Sequence, residues 1–125
     1  MAFQKRVLNP VVKALVRRGL AGGWAILETT GRKSGERRET PVGNGLHGET
    51  FWVIAEFGRR AAYVKNIEAS PAVRVCVRGR WRAGTATLLP DDDPRARQRT
   101  LPRLNALAVR AAGTDLLTIR VDLDP

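Results

Sequence analysis

The sequence predicts a mainly β protein with some helices: an antiparallel barrel of about six strands with helices packed outside it. Segments with apolar side chains at every second position recur along the chain, and the clearest is AVRVCVRG at residues 72–79. Glycine-containing turns join most of these segments as hairpins. Helical spacing of apolar residues is confined to the start, the middle and the region near the end.

The first element is a helix predicted at about residues 9–20. Asn9 can cap this helix, with Pro10 at its first position. Its apolar residues recur at helical spacing, while Lys13 and Arg17 share the opposite side. Two interpretations stay open: a helix packed on the sheet, or a basic amphipathic helix that contacts an anionic lipid surface.

The strands follow in chain order, each predicted from its alternation and its flanking turns. A turn at Gly31–Gly35 joins the first two, and a tight turn at His47–Gly48 leads into the third. The sequence therefore predicts consecutive hairpin pairing for these three. The predicted strands are WAILETT, RRETPVGNGL, TFWVIAEF, AVRVCVRG, RWRAGTATLLP and DLLTIRVDL.

Two further helical segments lie among the strands. RRAAYVKNIEAS predicts a short helix that ends before the Ser70–Pro71 break. DDDPRARQRTLPRLNALAVRAAG predicts a helix with Pro94 in its first turn, an interruption near Pro102 and an end at Gly113. With no repeat or linker in between, we expect a single domain over residues 1–125.

The charge distribution predicts an anionic partner. Of the 22 Lys and Arg residues, 16 precede residue 91, against 6 of the 12 acids, so the formal charge of +10 lies there. Nucleic acid, an acidic membrane surface or a small ligand with several negative groups would each suit it. One cysteine and no apolar run of roughly 18 residues predict a cytoplasmic protein, with membrane association left open.

The chain offers little material for catalysis by its own side chains. His47 is the only histidine, so a catalytic triad or a histidine metal site is not expected. Cys76 shares a strand face with two arginines but has no visible base, and Asp91–Asp93 suit a helix start better than a metal. We therefore predict no catalytic residue and no metal. An enzyme of this kind would rely on a bound cofactor.

The turn TTGRKSGERR is the most informative segment. Glycines at positions 31 and 35 allow a sharp turn that can present backbone N–H groups to an anion. Four cations and the hydroxyl of Ser34 surround it. A phosphate site and a solvated hairpin tip both remain open from the residues alone.

A family resemblance favours the phosphate site. The segment TTGRKSGERRETPV resembles the signature of the deazaflavin-dependent nitroreductase family, reductases that use coenzyme F420. The resemblance continues through FWVIAEFGRR, YVKNIEASPAVRV and GTATLLP. It implies a split β-barrel of the FMN-binding type, with the cofactor's phosphate and acidic oligoglutamate tail on basic residues. The implied enzyme is an F420-dependent reductase that passes a hydride to a small electrophilic acceptor, such as a quinone or a nitro compound.

The resemblance also assigns cofactor-binding residues. The phosphate and tail are expected at Arg32, Lys33, Ser34, Gly35 and Arg38. The segments expected to contribute around the deazaflavin ring are Pro41–Val42 and the end of the third strand with the residues after it, namely Ile54, Ala55, Glu56 and Phe57. Tyr63 and Asn66 match an aromatic residue and an asparagine in the family's W-Y-x-N segment.

Two departures from the family bear on the acceptor. Gly43 stands where nitroimidazole-reducing relatives carry a tyrosine, and their tyrosine-rich C-terminal segment is missing here. We therefore expect a quinone or another conjugated compound to be the acceptor rather than a nitroimidazole drug.

Two other functions compete with the reductase. A protein of the same fold could carry F420, another flavin or a lipid without turnover. A basic nucleic-acid-binding domain could use Trp52 and Trp81 as stacking platforms, but no aromatic-rich motif surrounds them, and we expect no nucleic-acid partner. The oligomeric state, including a homodimer, is left open.

Overall fold

A single antiparallel sheet forms most of the computed structural model, which describes residues 10–11, 13–19, 22–101 and 115–125. Its strand order is β2-β1-β5-β6-β7-β4-β3, and every neighbouring pair is antiparallel. The mainly β prediction is confirmed. Among the described residues the sheet has seven strands, one more than expected, because β3 is too short to show an alternating pattern. The strands are β1 (Trp24–Thr30), β2 (Arg37–Gly43), β3 (Leu46–His47), β4 (Thr50–Ala55), β5 (Ala72–Val77), β6 (Arg80–Leu89) and β7 (Leu117–Leu123).

Within the part of the chain that the structure describes, three α-helices accompany the sheet. The described residues between 10 and 17 are helical and are called α1. A 3-10 turn at Gly58–Arg60 leads into α2 (Ala62–Ala69), and α3 spans Pro94–Arg99. Asp93 caps α3, since its Oδ1 accepts hydrogen bonds from two backbone N–H groups in the first turn. The predicted continuation past Pro102 to Gly113 lies outside the described residues.

The sheet is curled, because its two edge strands are almost adjacent in the chain. Only Asn44 and Gly45 separate β2 at one edge from β3 at the other. Asn44 is buried, and its side chain donates to the carbonyl of Gly22 (2.8 Å) and accepts from the N–H of Leu46 (3.1 Å). A side chain at Gly45 would overlap the carbonyl oxygen of Trp52. This two-residue connection brings the edges together into a half-barrel.

The same connection corrects two predictions. The strand predicted through RRETPVGNGL ends at Gly43, since the backbone turns away at Asn44. The tight turn predicted at His47–Gly48 begins one residue later, because His47 still pairs with Thr50. The second and third predicted strands therefore lie towards opposite edges of the sheet and do not pair as a hairpin.

The concave face of the sheet holds the main core. Strand alternation places Phe51, Val53 and Ala55 on this face, and all three are buried. Val64 and Ile67 of α2 pack into the same core, so this helix is not simply outside the barrel as expected. The cluster consists of Ala25, Leu27, Val42, Phe51, Val53, Ala55, Val64, Ile67, Val73, Val75, Ala86, Leu117, Ile119, Val121 and Leu123.

A smaller core lies on the outer face, under α1. Val16 of this helix packs against Ile26 of β1 and Cys76 of β5, and all three are fully buried. Burial raises the pKa of the Cys76 thiol, so it stays protonated and unreactive at neutral pH. This packing supports the first interpretation of the N-terminal helix, in which it covers the sheet.

Candidate functional site

A pocket of about 250 Å³ lies between the β1–β2 turn and α2. Six of the thirteen predicted cofactor residues line it: Arg32, Lys33, Ser34, Arg38, Tyr63 and Asn66. The chain segments that supply them are far apart in sequence. The fold therefore brings the basic turn and the Tyr63–Asn66 segment to one place. Gly31, Thr40 and Ala62 complete the lining.

The β1–β2 turn is closed by its own hydrogen bonds. The N–H of Gly31 donates to the carbonyl of Glu36 (2.7 Å), and the N–H of Gly35 donates to the carbonyl of Gly31 (2.8 Å). Gly35 has a φ of +74°, a conformation that favours glycine. A Cβ at Gly31 would lie 3.0 Å from both the Glu36 carbonyl and the Ser34 hydroxyl. The glycines thus keep the turn tight while its polar side chains remain exposed.

Strand alternation decides which cations of the segment face the pocket. Val42 points into the core, so Arg38 and Thr40 continue the same face of β2 towards the pocket. Arg37 lies on the other face, where its Nε is 3.8 Å from a carboxylate oxygen of Glu28. Thr40 was not predicted as a site residue, although the alternation from Val42 through Arg38 would have found it.

Two polar residues of α2 lie on the opposite wall, beside Ala62. Tyr63 and Asn66 are three positions apart, so both project from one side of the helix. Burial raises the pKa of Tyr63, and the nearby charge of Glu56 raises it further. The phenol therefore stays protonated at physiological pH and can donate a hydrogen bond.

The pocket carries an excess of positive charge. Among the described residues, Lys33 has no carboxylate within 4 Å, and Arg38 has only Glu36, with Nη2 3.6 Å from Oε2 and both side chains exposed. Glu28 does not neutralise the pocket, because it is buried on the opposite face. There it accepts two hydrogen bonds of 2.8 Å from Arg74. The Arg74 guanidinium accordingly lowers the pKa of Glu28.

The other predicted residues do not line this pocket. Gly35 lies in the turn itself, and Pro41 is half-buried on the outer face of β2. Val42 and Ala55 point into the core, and Ile54 lies on the opposite strand face from Ala55. Glu56 and Phe57 follow β4 and are exposed. Their role beside a deazaflavin ring stays a prediction.

The two tryptophans suggested as stacking platforms are partly covered. The Arg97 guanidinium lies 4.2 Å from the ring centre of Trp52, and the Arg74 guanidinium lies 4.6 Å from that of Trp81. One face of each indole is thus taken by an arginine. Within the described ranges no group of three potential ligands could hold a metal ion, and no helix is long and apolar enough to span a membrane.

Comparison with known proteins identifies the family. A family model described as F420H(2)-dependent quinone reductase matches residues 4–124. The chain belongs to this family. Membership of this family implies that the cofactor is coenzyme F420. No curated protein matches the chain.

Solved structures confirm the split-barrel fold. An F420-H2 dependent reductase, FDR-A, has a TM-score of 0.63 at 21% identity, covering 79% of this chain and 93% of that one. Atu2129 of Agrobacterium tumefaciens, of unknown function, has a TM-score of 0.65 at 19% identity, covering 97% of this chain and 57% of that one. A heme binding protein from Mycobacterium smegmatis has a TM-score of 0.60 at 16% identity, covering 90% of this chain and 51% of that one. At these identities the likeness establishes the fold alone.

The residues of the pocket fit the phosphate and acidic tail of F420. Arginine offers a planar fork matched to phosphate or carboxylate oxygens, and lysine adds a mobile point charge. Arg32, Lys33 and Arg38 supply these groups on one side, and a glycine-bounded turn allows close approach of a ligand. The donor set therefore suits an anion-bearing cofactor.

Proposed function

We propose that this protein uses F420H2 to reduce quinone-class acceptors. The observation that carries the proposal is the convergence of Arg32, Lys33 and Arg38 on one pocket, in a chain whose family uses F420H2. Bound F420H2 supplies the hydride, from C5 of its deazaflavin. The protein contributes binding, orientation and an apolar surface beside the ring.

The three cations have separate tasks in this proposal. Arg32 in the turn and Arg38 in β2 both line the pocket and are suited to paired hydrogen bonds with phosphate oxygens. Lys33 is exposed at the tip of the turn, where a flexible ammonium can follow a carboxylate tail of variable length. The Ser34 hydroxyl already accepts a hydrogen bond from the N–H of Glu36 (3.1 Å), and its own proton is free to be donated to an anion.

Tyr63 serves as a hydrogen-bond donor in the pocket wall. Its raised pKa keeps the proton on the phenol, so the group does not repel an anionic ligand. An ionised tyrosine at the same place would oppose the charge of the phosphate. The residue thus favours binding and orientation, and we assign it no proton-transfer step.

The proposal of a quinone acceptor rests on a tyrosine side chain that this protein lacks. A tyrosine in nitroimidazole-reducing relatives is replaced here by Gly43, at the end of β2. Without that side chain, the end of β2 carries no aromatic ring that could contact a bicyclic nitroimidazole. A planar quinone does not require such a ring.

Two measurements on the purified protein test the proposal. Titration with oxidised F420, followed by its fluorescence, should show saturable binding. Mixing with F420H2 and a soluble naphthoquinone should then oxidise the cofactor at a rate proportional to protein concentration. Binding without oxidation would instead support a carrier of F420. Absence of F420 binding together with tight haem binding would overturn the proposal.

A contact of α1 with anionic lipid is proposed separately. Val11 is 54% exposed and Leu15 39% exposed, one helical turn apart, on the side of α1 away from Val16. Arg18 lies near the same side and is also exposed. Cosedimentation with vesicles rich in anionic lipid tests this contact, and Leu15→Ser should weaken it. Equal recovery of both proteins with the vesicles would overturn it.

A further inference from the structure

We infer that Asn66 is a positioning residue, which fixes the β1–β2 turn and Arg32 in the arrangement that receives phosphate. This inference rests on the proposed function. The family resemblance assigned Asn66 to direct contact with the cofactor. The hydrogen bonds of its side chain point to a different role, since they are directed to the protein.

The carboxamide of Asn66 is engaged on both sides. Its Oδ1 accepts from the backbone N–H of Arg32 (3.2 Å) and from Nη1 of the Arg32 guanidinium (3.0 Å). Its Nδ2 donates to the hydroxyl of Thr29 (3.2 Å). These three hydrogen bonds are called the Asn66 bridge. An amide oxygen has two lone pairs, so both acceptor positions are used by one arginine.

The bridge joins three elements at a buried point. Asn66 is 3% exposed and Thr29 is 1% exposed, so water competes poorly for their polar groups. The bridge connects the end of β1 and the first turn residue to α2. Val64 and Ile67 anchor α2 in the core. The bridge therefore fixes the turn relative to a well-packed helix.

The bridge holds the guanidinium of Arg32 and leaves most of its N–H donors free. Arginine has five N–H donors, and the bridge uses one of them. The remaining donors are available to phosphate oxygens, while the loss of side-chain freedom has occurred before the ligand arrives. A fixed Arg32 should therefore bind phosphate more tightly than a mobile one would.

The test compares Asn66→Leu, which has a similar shape but no hydrogen bonds, with Lys65→Leu on the exposed side of α2 as the matched control. The first readout is hydrogen–deuterium exchange of residues 31–36 in the protein without ligand. We expect the turn amides to exchange about tenfold faster in Asn66→Leu and unchanged in Lys65→Leu. Unchanged exchange in Asn66→Leu would overturn the inference.

The second readout separates positioning from general destabilisation. Asn66→Leu should weaken F420 binding by about tenfold, the effect of losing one or two hydrogen bonds. A truncated deazaflavin without phosphate and tail should bind both proteins alike. Equal losses for the two ligands would mean that the substitution damages the whole domain, and would overturn a role in phosphate binding.

A double-mutant cycle with Arg32→Ala closes the test. If Asn66 acts through Arg32, the loss caused by Asn66→Leu should shrink to less than about threefold in the Arg32→Ala background. The same loss in both backgrounds would contradict action through Arg32. If the wild-type protein binds no F420, the proposed function fails. The exchange data then decide by themselves whether Asn66 fixes the turn.

Discussion

Thr29 of β1 and Arg38 of β2 lie directly opposite each other in the antiparallel pair, so their side chains share the concave face of the sheet. The Thr29 hydroxyl accepts a hydrogen bond from Asn66, and the Arg38 side chain lines the pocket. One register thus places a buried anchor next to an exposed cation. A shift of β2 by one residue against β1 would turn Arg38 to the outer face and dismantle the pocket.

The first prediction concerns the pocket cations. Lys33→Ala and Arg38→Ala should each weaken F420 binding by about 1–3 kcal/mol, or roughly 5- to 150-fold, because each removes a charge-assisted hydrogen bond. Fluorescence titration measures the dissociation constants. Arg80→Ala, which removes an exposed cation at the start of β6, is the control and should bind as the wild type does. Unchanged affinity in both pocket variants would make this turn a solvated hairpin tip.

The second prediction concerns the acceptor. With Gly43 in place of a tyrosine, quinones should be reduced with a higher kcat/KM than bicyclic nitroimidazoles under matched conditions. Steady-state oxidation of F420H2 at saturating cofactor measures both. Comparable or better turnover of a nitroimidazole by the wild-type protein would contradict this account of specificity.

The third prediction concerns the buried ion pair on the outer face. Hydrogen bonds from Arg74 lower the pKa of Glu28 below its ordinary value of 4.5, so folding favours the ionised form. This contribution is present above about pH 4.5 and is lost as the pH falls through the lower, folded pKa. Glu28→Gln should therefore reduce the free energy of unfolding by about 1–3 kcal/mol at neutral pH, with a smaller difference in acid.

Urea unfolding at neutral pH and in acid measures this difference. Glu36→Gln is the matched control, because that carboxylate is exposed and its change should stay within about 0.5 kcal/mol. If the difference in unfolding free energy between wild type and Glu28→Gln is the same at all pH values, the charge of Glu28 does not cause it.

The fourth prediction concerns the barrel closure. Gly45→Ala should destabilise the fold by about 3 kcal/mol or more, because the added methyl group overlaps the Trp52 backbone at the crossing between the sheet edges. Gly23→Ala is the control, since its Cβ would meet nothing within 4 Å. Thermal unfolding measures both. Equal melting temperatures would mean that the connection at Asn44–Gly45 is not tightly packed.

Much of this fold could be predicted because its signals are local. The alternation in β5 and the Arg78–Gly79 turn before β6 lie within a few residues of each other, and the structure contains that hairpin. The connection at Asn44–Gly45 could not be predicted in the same way. Whether two successive strands pair or occupy opposite edges depends on closure of the entire sheet, and a glycine-rich segment suits either arrangement.

The candidate site also has one part that the sequence could predict and one part that it could not. The basic turn could be predicted because its glycines and cations are contiguous in sequence. Its wall on α2 came from the family resemblance, since no spacing rule connects Tyr63 to a turn some thirty residues earlier. The positioning role that we infer for Asn66 could not be predicted for the same reason: its partners Thr29 and Arg32 are distant in sequence, and only the packed structure shows the hydrogen bonds of its amide.

The central claim is that the basic turn binds the anionic part of F420. The most direct test is the affinity of F420 and of a truncated deazaflavin, without phosphate or tail, across a series of salt concentrations. Exposed charges are screened over roughly 8 Å at physiological ionic strength, so F420 binding should weaken as salt rises. The truncated ligand should bind more weakly at low salt and respond little. If both ligands lose affinity in parallel, or neither does, the turn does not bind the phosphate and tail.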